Sequence, residues 1–173
     1  MITQIQINPL LLVVHAAVYK AGADLVDFYL EPGEPLRLVA DGEVLHMTAE
    51  IDAVSQGALA FSLSYDACLE LLDVMAKRVG EVYVIAEGDT LMIMDDCNAL
   101  ELPATTLPWN GARRITPRGH EVSSIEVAGQ QLKILSHLTR LFKAHITFST
   151  REAPGVVGAR IHGEHVRANV RFK

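Results

Sequence analysis

The feature that most constrains this chain is repetition. One pattern of periodicities occurs three times, with helices starting about 60 residues apart. The first copy reads as a strand at Thr3–Ile7, a helix at Pro9–Ala21 and strands at Leu25–Glu31, Leu36–Ala40 and Val44–Ile51. The second reads as a strand at Leu59–Leu63, a helix at Tyr65–Val79 and strands at Val82–Glu87, Thr90–Met94 and Cys97–Leu102. The third reads as a strand at Ser123–Val127, a helix at Gln130–Lys143 and strands at His145–Thr150, Val156–His162 and His165–Phe172. Each copy is a βαβββ unit. A small antiparallel sheet with one helix leaves a face uncovered, so each unit needs a neighbour to close a core.

Local chemistry supports these elements. Asn8-Pro9 suits a cap and a first-turn proline at the start of helix one. Leu69, Leu72, Val74, Met75 and Val79 form an apolar stripe at helical spacing, as do Leu132, Leu135, Leu138 and Leu141. Asp41-Gly42, Gly88-Asp89 and Gly163-Glu164 suit hairpin turns. Phe28 and Leu30, and Val82, Val84 and Ala86, alternate as half-buried strands do. Residues 103–120 lack periodicity and read as a connector. The expected organisation is α+β: a full domain of two units over residues 1–107, a linker over 108–121 and a half-domain over 122–173. The third unit has no partner within the chain, and its sheet edge needs covering.

Composition narrows the function. Half of the 173 residues are apolar, which suits a globular protein. The net charge of −6 hides an asymmetry: residues 1–110 hold four basic and 17 acidic residues, residues 111–173 eleven basic and four acidic. Such polarity suits an anionic partner at one end, head-to-tail pairing of copies, or compensation between packed halves. The start of the chain has no basic segment or cleavage-like site, so no signal peptide is expected. The longest apolar stretch, Pro9–Val14, is far short of the roughly 20 residues of a membrane span. Cys68 and Cys97 are isolated, which fits reduced thiols in a cytoplasmic protein and neither a zinc site nor a disulfide framework.

Enzyme chemistry finds little support. The sequence holds no Gly-x-Ser-x-Gly, no phosphate-binding glycine loop and no dinucleotide fingerprint. His162 and His165 flank a turn but lack a carboxylate or thiol cluster, so no metal is expected. His15 and His137 on helices read as surface or core histidines, and Asp95-Asp96 as a turn. No cofactor is implied.

The residues carry a family resemblance. Asp27-Phe28-Tyr29-Leu30 followed by Leu38-Val39-Ala40-Asp41-Gly42-Glu43-Val44-Leu45 resembles the middle domain of the bacterial DNA sliding clamp, the beta subunit of the replicative polymerase. There an aromatic-Tyr-Leu strand leads to an Ala-Thr-Asp-Gly hairpin; the Thr is missing here. Leu107-Pro108-Trp109 through Arg113-Arg114-Ile115-Thr116-Pro117 resembles that family's connector. Val166–Phe172 resembles its C-terminal strand, with Val170-Arg171-Phe172 in place of Met-Arg-Leu and one extra residue, Lys173. A clamp chain has six such units, so three would correspond to the middle domain, the connector and the final half-domain.

The resemblance implies a DNA-clamp-like fold and a peptide-binding pocket. Carried over by position, the pocket would be lined by Leu30, Ala40, Gly42 and Leu45, by Pro108, Arg114 and Ile115, and by Val166, Ala168, Val170, Arg171 and Phe172. Its ligands would be linear clamp-binding motifs of polymerases or repair factors, needing an apolar floor and a polar rim. DNA-facing residues would be Lys20, Lys77, Arg78, Lys133, Arg140 and Lys143, presenting phosphate-directed charge as in a processivity factor. A ring of twelve units would take four chains; a dimer pairing the spare units, or a monomer, is equally open, as is an interaction or inhibitor protein that does not encircle DNA. Gln131-Leu132-Lys133-Ile134-Leu135 faintly resembles a clamp-binding peptide itself, but on an amphipathic helix its leucines are expected to be core.

Overall fold

The computed structural model describes residues 3–108, 125–149 and 156–173. The first unit comprises β1 (Thr3–Gln6), α1 (Ile7–Ala16, extended by a π-type turn, Ala17–Ala21), β2 (Leu25–Leu30), β3 (Leu36–Asp41) and β4 (Leu45–Ile51). A short strand, β5 (Ala53–Ser55), follows. The second comprises β6 (Leu59–Ser64), α2 (Tyr65–Met75), β7 (Glu81–Glu87), β8 (Thr90–Met94) and β9 (Ala99–Pro103), with β10 (Thr105–Thr106) beyond. Past the linker come α3 (Gly129–Leu141), β11 (His145–Phe148), β12 (Gly158–His162) and β13 (Val166–Phe172). The class is α+β with two antiparallel sheets, ordered β5-β1-β7-β8-β9 and β10-β6-β2-β3-β4-β13-β12-β11.

The order βαβββ is met in full twice. In the third unit the described residues give αβββ, and Ile125–Val127, the described part of the expected strand Ser123–Val127, form no ladder. The pairing of the other units supplies the reason. The first strand of each unit does not pair inside its own unit: β1 pairs with β7 of the second unit, and β6 pairs with β2 of the first. Among the described residues the third unit has no sister to receive or donate such a strand. Most of the linker, and Ser123 and Ser124, lie outside the described residues.

The exchange creates a shared core. Ile5, Leu10, Phe28, Leu30, Phe61, Leu63, Leu71, Val84 and Ile93, from both units, are all buried. Burying an aliphatic or aromatic side chain is worth roughly 1.5–3 kcal/mol, so this jointly built interior is the main favourable term. The Phe28 and Phe61 rings stack across the exchange, centroids 4.7 Å apart and nearly parallel. A small apolar cavity of about 10 Å³ remains among these residues.

Helix boundaries follow their capping chemistry. Ser64 accepts from the Ala67 N–H at 3.3 Å and starts α2. Helix α1 begins at Ile7, so Asn8 lies inside the first turn and is not its cap. The Ile7 N–H donates instead to the Gly80 carbonyl of the other unit at 2.9 Å, which satisfies the first open N–H of the helix. Helix α2 ends at Met75, leaving Lys77 and Arg78 on the following turn. In α3 the Gln131 side chain accepts from the Ala128 N–H at 3.0 Å. Leu135 and Leu138 are core as expected, but Leu132 is 55 % exposed.

The β3–β4 hairpin is fixed to the end of the first helix. Val44 and Glu43 donate to the carbonyls of Ala21 and Gly22, and Gly22 sits in the left-handed region at φ 70°. Gly42 packs so closely on this backbone that a Cβ would lie 1.9 Å from the Ala21 carbonyl oxygen. Main-chain atoms cannot swing aside as a side chain can. Gly42→Ala is therefore expected to cost about 2–3 kcal/mol, at the upper end of overpacking substitutions. Urea denaturation should show a lower midpoint at unchanged slope.

Candidate functional site

The C-terminal strand is the element that brings the third unit to the first. β13 reads Val166-Arg167-Ala168-Asn169-Val170-Arg171-Phe172, and its alternate apolar residues are buried. It pairs antiparallel with β4 over its whole length, from Val166 opposite Ile51 to Phe172 opposite Leu45. The chain end therefore lies beside the β3–β4 hairpin, and the Lys173 N–H donates to the Val44 carbonyl.

The expected pocket residues separate into two groups along this seam. Ala40, Gly42, Leu45, Val170, Arg171 and Phe172 meet at the hairpin end: Ala40 and Val170 both face Met47, and Leu45 faces Phe172. Leu30, Val166 and Pro108 lie at the opposite end, since Leu30 pairs with Leu59 while Val166 faces Ile51. Six residues of strand separate the ends, about 20 Å. Arg114 and Ile115 lie outside the described residues. The apolar members, Leu30, Ala40, Leu45, Val166, Ala168, Val170 and Phe172, are at most 4 % exposed and point into the core. Solvent meets their rim instead: Val44 is 36 % exposed, Asp41 and Pro108 are exposed, and His46 and Arg171 are half-buried.

A charged cluster closes the hairpin end. Lys173 Nζ lies 2.9 Å from Asp41 Oδ1, and His46 Nδ1 lies 3.2 Å from the same oxygen. The hydrogen bond from Lys173 is the largest influence holding the Asp41 carboxyl below its ordinary range, with His46 adding to it. No periodicity in the sequence marks this cluster; it becomes visible only once the β4–β13 register is known. Further along, Arg167 reaches Glu50 at 4.0 Å and Asp52 at 3.9 Å. Part of the charge asymmetry is thus compensated within the chain.

The expected DNA-facing residues are dispersed. Lys77, Lys133, Arg140 and Lys143 are exposed, and Lys20 is half-buried. Arg78 is engaged with Asp95 at 3.5 Å. That carboxyl is held below its ordinary range first by the Cys97 N–H, then by Asn98 and Arg78. Over Ile7–Ala16 helix α1 carries no Lys or Arg, and its outer face joins α2 in a groove lined by Leu11, Leu12, His15, Tyr19, Leu69 and Leu72, with Leu141 of α3 beside them. Burial, and then the Lys20 charge, push the His15 imidazole below its ordinary value and favour its neutral form.

Other candidates stay apart. His165 is 64 % exposed beside Glu164, and His162 faces His145 across β11–β12. Among the described residues no three His, Cys, Asp or Glu side chains are grouped to hold a metal ion. No described helix is long and apolar enough to cross a membrane. Cys97 is exposed, whereas burial pushes the Cys68 thiol up to about 12. A thiol-reactive dye at neutral pH should label Cys97 in the native protein and Cys68 only after unfolding.

Replacing Lys173 should move the Asp41 titration upward. Because the folded carboxyl titrates below its unfolded value, its contribution to stability is present above the unfolded range and fades as pH falls through the folded one. Asp41 and Lys173 are 64 % and 49 % exposed, so solvent screening limits that contribution to about 0.2–1 kcal/mol. Carboxyl-carbon NMR titration of the protein and of Lys173→Met would measure the displacement.

No protein-family model matches the sequence, and no curated protein matches it. Solved structures do match. The chain aligns with the Bacillus subtilis DNA polymerase sliding clamp at TM-score 0.65 and 10 % identity, over 100 % of this chain and 64 % of that one. It aligns with the Helicobacter pylori beta clamp bound to a DNA ligase peptide at TM-score 0.62 and 13 % identity, over 99 % and 66 %. The beta subunit of Pseudomonas aeruginosa DNA polymerase III aligns at 0.61 and 11 %, over 99 % and 64 %. The fold is that of the bacterial beta clamp, and the chain spans about two thirds of each of these proteins.

Proposed function

We propose that this protein is a clamp-fold binding module that receives an extended peptide, of the kind carried by replication or repair proteins, at the corner between the β3–β4 hairpin and the C-terminal strand. The observation that carries this reading is the full β4–β13 ladder, which holds Gly42, Val44, Arg171 and the chain end side by side. The similar Helicobacter pylori beta clamp was solved with a DNA ligase peptide. A peptide anchor would enter over the exposed face of Val44, with Arg171, Lys173 and His46 supplying polar partners at the rim, as peptide sites require. The module works by binding alone, without catalysis or cofactor.

One observation favours a module that does not encircle DNA. A sliding contact needs cations facing phosphate. The groove between α1 and α2 presents leucines, a tyrosine and a histidine held toward neutrality, with Asp73 at its edge. Lys133, Arg140 and Lys143 are exposed on the third unit and Lys77 on the second.

Fluorescence anisotropy with a labelled Gln-Leu-x-Leu-Phe peptide tests the site. Saturable binding is expected, weakened about tenfold, or 1.4 kcal/mol, by Val44→Asp. Val79→Asp, at an 81 % exposed position on the second unit, should leave it unchanged. Absence of binding at high micromolar protein, or equal affinity in both variants, overturns the reading. Retention on circular but not linear duplex DNA would instead establish encirclement.

A further inference from the structure

The first two units establish a pairing rule that the third leaves unfulfilled. The residue two positions before each helix pairs with the second residue of the sister unit's next strand: Ile5 with Val82, and Leu63 with Val26. The residue four positions before follows in the same register, Thr3 with Val84 and Phe61 with Phe28. All eight are buried. The equivalent residues of the third unit are Val127 and Ile125 before α3, and Ile146 and Phe148 on β11. All four are only partly buried. Among the described residues β11 has a ladder partner on one side alone, β12.

The helix carries the same deficit. Three positions after the helix start, Leu10 is 3 % exposed and Cys68 0 %, both inside the core that the two units share. The third such residue, Leu132, is 55 % exposed. Glu126 is exposed between half-buried Ile125 and Val127. A strand's alternation is therefore present without a strand's ladder.

We infer that the third units of two copies of this chain complete each other, each donating Ile125–Ala128 to β11 of the other. Val127 then faces Ile146 of the second copy and Ile125 faces Phe148, in the register used twice within the chain. The exchange between units one and two is reciprocal, so the same exchange between identical units is an isologous, closed twofold interface. It buries Leu132, Ile146 and Phe148 and removes the free edge of β11. The occupant is a second copy because the missing complement, a preceding strand, a helix and a receiving edge, is what the third unit itself presents. In the resulting dimer the two third units are paired as the first and second units are within each chain.

Light scattering on the intact protein should give twice the 18.9 kDa chain mass. Leu132→Glu should give a monomer with unchanged helical circular dichroism, since that side chain meets solvent in the single chain. Register is tested in a Cys97→Ala background by mixing a Val127→Cys chain with an Ile146→Cys chain under mild oxidation. Facing residues of an antiparallel pair lie within disulfide reach. A linked dimer forming in the mixture, and not in either chain alone, supports the exchange. A monomer at high micromolar concentration, a dimer that survives Leu132→Glu, or cross-linking equally strong in the separate chains overturns it.

Discussion

Everything in this molecule depends on the fact that a unit cannot finish its own sheet. The strand that opens each unit leaves to pair with the neighbour's second strand, and the neighbour returns the favour. The geometry makes the two units one cooperative body, because each sheet contains strands of both. It also places the aromatic contact between Phe28 and Phe61 at the point of exchange, where each ring covers the other unit's interior. A hydrophobic core built this way belongs to neither unit, since its buried residues come from both.

The third unit solves half of the same problem differently. It attaches through its last strand, extending the larger sheet from β4 to β13 with seven paired residues. That ladder satisfies the backbone groups of one edge and buries Val166, Ala168, Val170 and Phe172. The remaining edge, β11, has no equivalent solution within the described chain. Attachment by the final strand also sets the functional geography. The hairpin tip and the chain end become neighbours because antiparallel pairing runs Phe172 back to Leu45.

Much of this was legible in the sequence, and the illegible part has a common cause. Periodicity located the helices to within a few residues, and the Asp41-Gly42, Gly88-Asp89 and Gly163-Glu164 turns fall between paired strands. Local signals describe an element, not its partner. The Asn8-Pro9 signature misplaced the start of α1 because a carbonyl from another unit, that of Gly80, caps it. Ser123–Val127 reads as a strand since it alternates, yet Ile125–Val127 form none because a strand needs an edge to join. At the candidate site, Leu45 and Phe172 could be placed together, but their inward orientation and the Lys173–Asp41 contact follow from register, which no single segment encodes.

Charge shows how far partner identity can be read once register is known. The acidic first units and basic last segment could have marked a chain built to attract an anion. In the fold, Arg167 and Lys173 instead face Glu50, Asp52 and Asp41 across and beside the β4–β13 seam. These pairs are exposed, so each is worth little energy; their role is to match β13 with β4 in one alignment, since a slip of one residue would place Arg167 and Arg171 in the core. Lys133, Arg140 and Lys143, three of the other cations, lie on the same unit that carries the exposed Leu132. Like charges on two identical surfaces repel, so self-association there must be driven by apolar burial and strand pairing. It should strengthen, not weaken, as added salt screens that repulsion, whereas attachment to DNA would respond in the opposite sense.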